Sequence, residues 1–148
     1  MMGATVFGVG FAPVAPGTFG TLAALPIFWA MSKLPVAAYV GVLVVLIGLA
    51  SWVSDLAEHL YDDHDLGHIV VDEFVGLLTT CVAIPFSWKS AIAAFVLFRF
   101  FDIVKPQPIR WIDDHVRGGL GVVLDDVAAG VAACIVMHIA GYVLKVKA

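Results

Sequence analysis

Phe98-Arg99-Phe100-Phe101-Asp102-Ile103-Val104-Lys105-Pro106-Gln107-Pro108 closes an apolar segment that starts near Ser90. On a helix, Arg99, Asp102 and Lys105 recur every three residues and share roughly one face. Pro106 and Pro108 stop that helix. A segment this apolar is more stable without charges, so these three call for a pairing partner or a chemical role.

The rest of the chain explains the setting. Its 148 residues suit one domain, 1–148. Residues are 61% hydrophobic and 14% charged, with a mean hydropathy of +1.01. A soluble domain of this size needs more polar surface, so an integral membrane protein is expected. The net charge of −4 argues against nucleic acid as a partner. Cys81 and Cys134 lie in apolar runs without CxxC spacing and read as small buried hydrophobes. No basic stretch precedes an apolar one at the N-terminus, so a cleaved signal peptide is not expected.

Five apolar segments follow from the pattern. Residues 3–20 carry five glycines and two prolines and read as irregular. A short helix spans about Phe19 to Met31. Val36 to Val53 is uncharged and long enough to cross a bilayer, with an extension into water through Asp55, Glu58 and His59. YDDHDLGH (61–68) is a polar loop. Ile69–Ile84, Ser90–Val104 and Val122–Leu144 are the remaining apolar runs, and Lys105–Gly121 is polar. The fold class is therefore all-α: an integral membrane helical bundle of about five segments, some short or partly re-entrant. VVDEFVG (70–76) and VLDDVAAG (123–130) echo each other, each placing an acid pair before small residues.

Parity then sorts the charges. If each segment crosses, or re-enters and returns, all twelve acidic residues, from Asp55 to Asp126, fall on one side. Lys33, Lys89, Lys145 and Lys147 fall on the other. One polar site at one membrane face is expected. Four basic residues lie on each side, so the positive-inside rule gives no orientation.

Asp72, Glu73, Asp102, Asp125 and Asp126 are carboxylates at or within apolar segments, where an unpaired charge costs about 2–3 kcal/mol or more. An oxygen-rich set suits Mg²⁺. The alternative is that acids open helices because the dipole favours them, which leaves Asp102, near a helix end, unexplained. Arg99, Lys105 and Arg110 could clamp a phosphate. Alternatively Arg99 pairs with Asp102 and Lys105 snorkels. The stretch Ala15–Thr21 leads into a helix, and backbone N–H groups near Gly17 and Thr18 could hold an anion, although such stretches are usually plain loops. His64 and His68 are more often bystanders than ligands, Asp55 and Glu58 suit a solvated face, and His138 suits a core histidine.

APGTFGTLAALP (15–26), HDLGHIVVDEFVG (64–76), FRFFDIVKPQPIRWID (98–113) and GGLGVVLDDVAAG (118–130) closely resemble, in order and spacing, the phosphatidylglycerophosphatase A family of bacterial membrane lipid phosphatases. The resemblance covers nearly the whole chain. It implies a Mg²⁺-dependent phosphomonoesterase that converts phosphatidylglycerophosphate to phosphatidylglycerol and inorganic phosphate. The site would sit on the cytoplasmic face of the bacterial inner membrane, with membrane lipid around it. It places the acidic motif positions on Asp72, Glu73, Asp102, Asp125 and Asp126, and the basic ones on Arg99, Lys105 and Arg110. Val71 and Gln107 depart from the tryptophans the family often carries there, and neither change removes a ligand.

The expected mechanism is attack by water on phosphorus, with Asp102, Lys105 and Asp126 as the catalytic set and Lys105 and an arginine on the phosphate oxygens; an aspartate nucleophile, Asp102 or Asp126, is the alternative. No Cys-x5-Arg or DxDx[TV] motif is present. The rival readings are a small membrane transporter or proton-coupled subunit using intramembrane acids, and a structural subunit whose charges only pair helices.

Overall fold

Helix boundaries follow local chemistry. Pro16, whose missing N–H costs nothing in a first turn, opens α1 (Pro16–Met31). α2 runs Val36–Leu60 and α3 Val71–Thr80. α4, Trp88–Val104, starts on a Ser87–Ser90 capping box. It ends at Lys105, which takes a left-handed backbone (φ 44°) ahead of Pro106. α5 is Ile109–His115 and α6 Gly118–Lys147. The computed structural model describes residues 16–60 and 70–147. The irregular stretch before Pro16 and the 61–68 loop with His64 and His68 lie outside the described residues, as do the side chains of Glu58 and Lys147.

All regular structure among the described residues is helical, and the protein is a membrane helical bundle. Two helices are long and apolar enough to cross a bilayer: Val36–Ala57 and Gly118–Lys145. Only 17% of either apolar window is buried in the protein. Their outer faces, with Val44, Val45, Trp52, Ile135, Ile139 and Leu144 exposed, therefore need lipid.

α3 is the central post. It packs against α1, α2, α4 and α6, and every residue from Val75 to Thr80 is buried. Lipid supplies no hydrophobic drive between helices, so close backbone approach and internal hydrogen bonds hold such a bundle. Both are present. A Cβ on Gly130 of α6 would overlap the Gly76 carbonyl of α3, and one on Gly76 would overlap the Phe98 ring. Tyr39 Oη donates to the Leu78 carbonyl at 2.7 Å.

Three expectations change here. The 69–84 run is helical for only ten residues; beyond Thr80 the chain leaves the helix, with Ala83 left-handed (φ 58°) and Pro85 following. The segment read as polar, 105–121, contains α5, whose Ile109 enters the core. His138 is exposed on α6 rather than in the core. Its Nε2 donates to the Val82 carbonyl at 3.0 Å, and Cys134, half-buried, reaches the same oxygen. α3 stops early, so α6 supplies the donors that a continuing helix would have given Val82.

The ends sort as parity requires. The first turn of α1, the end of α2, the start of α3, the end of α4, α5 and the first third of α6 come together. Gly17 meets Glu73, Gly119 meets the Asp55 backbone, and Arg99 meets Glu73. At the opposite end Lys33 lies 3.5 Å above the Trp29 ring, near Phe28, Phe86 and Trp88, whose rings touch in sequence.

Candidate active site

Each helix delivers its side chains to the polar end for a local reason. Asp72 and Glu73 lie in the first turn of α3, where the helix dipole favours acids. Asp125 and Asp126 have no such excuse. α6 begins at Gly118, so the pair lies in its second and third turns, and both are buried. Helix capping accounts for one acid pair and not for the other. The sequence echo between the pairs has a physical counterpart: Asp72 Oδ1 accepts the Glu73 N–H and Asp125 Oδ1 accepts the Asp126 N–H, each at 2.9 Å. In each pair the first carboxylate is pinned to the next peptide.

Two cations from α4 are each bracketed by two acids. Arg99 Nη1 reaches Asp102 Oδ2 at 2.6 Å on its own helix and Glu73 Oε1 at 3.2 Å on α3. Lys105 Nζ reaches Asp125 Oδ2 on α6 at 2.5 Å and Asp113 Oδ1 on α5 at 3.1 Å. Arg99 and Asp102 share a face of α4, whereas Lys105, left-handed at the C-cap, lies past the helix end and is ion-paired rather than snorkelling. Its left-handed backbone costs about 1–2 kcal/mol. The turn it makes places the ammonium between α5 and α6.

Asp126 is buried, with Asp72, Asp102 and Asp125 around it. Its Oδ2 has no hydrogen-bond partner, and neither has Glu73 Oε2. Six carboxylates therefore face two cations. The excess shows in the titration of the groups outside the spanning helices. Burial, and next the Glu73 charge, push the Asp72 carboxyl well above its usual range. Burial pushes Glu73 up to about 7, with Arg99 opposing and Asp102 adding to the rise. Burial disfavours the Lys105 charge, but Asp125 and Asp113 together hold its pKa above the ordinary lysine value.

The structure brings Asp72, Glu73, Arg99, Asp102, Lys105, Asp125 and Asp126 into one site. Gly17 and Thr18 sit in the first turn of α1, and Gly17 lies so close to the Glu73 carboxylate that a Cβ would not fit. Arg110 stands exposed on α5 and takes no part in the ion pairs of the described residues. Among the described residues no three acids are drawn together as an ion's coordination shell; Arg99 holds one oxygen of Asp102 and Lys105 one of Asp125. Asp113 was not foreseen. The spacing of Ile109, Ile112 and Val116, one apolar helical face, is the signal that would have revealed α5 and Asp113 with it.

A sequence model of the family described as phosphatidylglycerophosphatase A matches residues 2–141. The chain belongs to the phosphatidylglycerophosphatase A family. A phosphatidylglycerophosphatase A of Escherichia coli is 42% identical over 139 residues, covering 92% of this chain and 80% of that protein. Its Haemophilus influenzae counterpart is 40% identical, covering 92% and 85%. A Bacteroides thetaiotaomicron protein provisionally named a phosphatidylinositol-3-phosphatase is 42% identical, covering 95% and 92%. No solved structure matches the chain. The chain is accordingly an enzyme, a membrane phosphatase of this family. That family membership displaces the transporter and structural-subunit readings, and the acids agree: they gather at one end of the bundle instead of marking a path through it.

Proposed function

We propose that the chain removes the terminal phosphate of phosphatidylglycerophosphate, yielding phosphatidylglycerol and inorganic phosphate, in a Mg²⁺-dependent reaction at the cytoplasmic face of the bacterial inner membrane. The observation that carries this reading is the excess of carboxylate at one end of a lipid-embedded bundle, with Asp126 Oδ2 and Glu73 Oε2 buried and unpartnered. A dianionic phosphate is repelled by such a cluster unless cationic charge joins it. The donor set is all oxygen, which fits a hard divalent cation. Asp72, Asp102 and Asp126 would hold it, with Glu73 and Asp125 beside them. When bound, Mg²⁺ supplies charge that draws in the phosphate oxygens and offsets the charge they develop.

The chain's own groups do the rest. Lys105 and Arg99, fixed by ion pairs on α4, bind the outer phosphate oxygens and stabilise them as the reaction proceeds. Asp126 Oδ2 accepts the proton of a water that attacks phosphorus, and the bond from phosphorus to the glycerol oxygen breaks as that oxygen takes a proton from solvent. Asp102, oriented by Arg99, lies beside Asp126. The apolar outer faces of α4, with Ile92, Val96, Phe100 and Ile103 exposed, leave the acyl chains in lipid while the head group reaches the polar end.

The test is phosphate release by purified protein from phosphatidylglycerophosphate, with and without Mg²⁺, in the wild type and in Asp126→Asn. Phosphatidylinositol 3-phosphate is the comparison substrate. Release that needs Mg²⁺, favours phosphatidylglycerophosphate and is lost in the variant is expected. No release by the wild type with Mg²⁺ present sinks the proposal, and a trapped phosphoenzyme sinks the direct attack by water.

A further inference from the structure

We propose that Asp113 sets the affinity of the site for phosphate by competing with it for Lys105. The inference rests on the reading above that Lys105 meets phosphate. The Lys105 ammonium is held by two unequal partners. Asp125 belongs to the long α6, its side chain is 6% exposed, one oxygen is bonded to the Asp126 N–H and the other to Lys105. It cannot leave without stranding a buried charge. Asp113 belongs to the seven-residue α5, its side chain is 47% exposed, and its contact is the longer of the two at 3.1 Å. Water can replace Lys105 at that carboxylate at little cost.

Asp113 also stands beside Asp125, so the two carboxylates crowd one ammonium, and a phosphate that reaches Lys105 takes the place of the more exposed of them. Phosphate therefore displaces Asp113 and then lies beside its negative charge. Asp113 is a counterweight: it keeps Lys105 neutralised and aimed when the site is empty, and it weakens the hold on phosphate when the site is full. The residue acts on binding and product release, and touches neither water nor the breaking bond.

The experiment uses full-length protein in detergent micelles with Mg²⁺ and inorganic phosphate as the probe. Affinity is read by calorimetry and by product inhibition, beside KM and kcat on phosphatidylglycerophosphate. Asp113→Asn, nearly isosteric on an exposed helix, is expected to bind phosphate about tenfold more tightly, the scale of one like-charge contact near water. KM falls with it. Asp113→Glu retains the charge and behaves as the wild type. In a Lys105→Met background the Asp113→Asn gain disappears, because the two residues act through one contact. Unchanged or weaker phosphate binding in Asp113→Asn, or a rise in KM with a fall in kcat, overturns the inference and leaves Asp113 as a plain strut for Lys105. The substrate reading fails separately: tighter phosphate binding in Asp113→Asn with no wild-type turnover of phosphatidylglycerophosphate removes that reading and keeps this one.

Discussion

Gly130 of α6 rests directly on the Gly76 carbonyl of α3, with Thr79 closing the remaining space. This contact sets the distance between the two acid pairs, because Asp72–Glu73 and Asp125–Asp126 lie about one turn before each glycine on their respective helices. Alanine is the better helix former by about 1 kcal/mol, but here its methyl meets backbone that cannot rotate away. Overpacking of this kind costs about 1–3 kcal/mol. Gly130→Ala is therefore expected to lower thermal stability in detergent and to reduce turnover. Gly141→Ala, on the same helix with nothing within 4 Å, is the control and should be neutral or slightly stabilising.

Gly17→Ala should separate activity from stability. Its Cβ would push on the Glu73 carboxylate, a side-chain end that can shift, so the fold yields cheaply. The shift disturbs the Arg99 bracket at 3.2 Å and 2.6 Å. Misplacing a positioning group by about 1 Å costs on the order of 10²-fold in rate. Steady-state kinetics beside a melting curve checks this; an equal loss of both would assign Gly17 to packing.

Removing charge from the carboxylate excess should stabilise the metal-free fold while abolishing turnover. Asp72 is driven upward by burial and by Glu73, so Asp72→Asn relieves a cost that the working enzyme bears for function. The expected outcome is an unchanged or higher melting temperature without Mg²⁺, activity near background, and loss of the stabilisation that Mg²⁺ gives the wild type. A lower melting temperature would show that Asp72 is structural.

The pH dependence of stability follows from Glu73. Its carboxyl is pushed up to about 7 in the fold, from 4.5, so the fold favours the protonated form. That contribution is complete below pH 4.5 and is lost as pH rises through about 7. The metal-free protein should melt at a lower temperature at pH 8 than at pH 5, with a shallower decline in Mg²⁺. Glu73→Gln should flatten the metal-free curve.

His138→Leu tests the early end of α3. The carbonyl of Val82 can only accept, so His138 Nε2 carries the proton. Leucine leaves that carbonyl with only the weaker Cys134 thiol, and the expected loss is about 1–3 kcal/mol, read by thermal unfolding with phosphatase activity per folded molecule unchanged.

Much of this was legible in the sequence for reasons that particular residues make plain. Arg99 and Asp102, three residues apart, share a face on a helix, and their pair follows from that; Lys105, past the helix end, leaves that face. The confinement of every acid to one stretch between Asp55 and Asp126 decided the polar end. Where the sequence misled, one-dimensional apolarity was the cause. Ile69–Ile84 is apolar apart from Asp72 and Glu73 near its start, yet the helix stops at Thr80, and Ile84, before Pro85, is disfavoured in helical geometry. α5 is amphipathic over only seven residues, so its charges outweighed Ile109 and Ile112 in any average. Asp113 gained meaning only through the fold that returned it to Lys105.

α4, exposed through Ile92, Val96, Phe100 and Ile103, has seventeen residues and so rises about 25 Å, less than the roughly 30 Å of a bilayer's hydrocarbon. α6 has thirty and rises about 45 Å. Its final turns, from His138 to Lys145, are exposed on every side. The molecule is thus tall along one flank and shallow along the other. Lipid beside the shallow flank must dimple or tilt to meet it, at a cost of fractions of a kcal/mol for each ångström of mismatch. The thickness of the surrounding bilayer thereby enters the energy of this protein, and lipid that thins locally beside α4 meets its outline with least distortion.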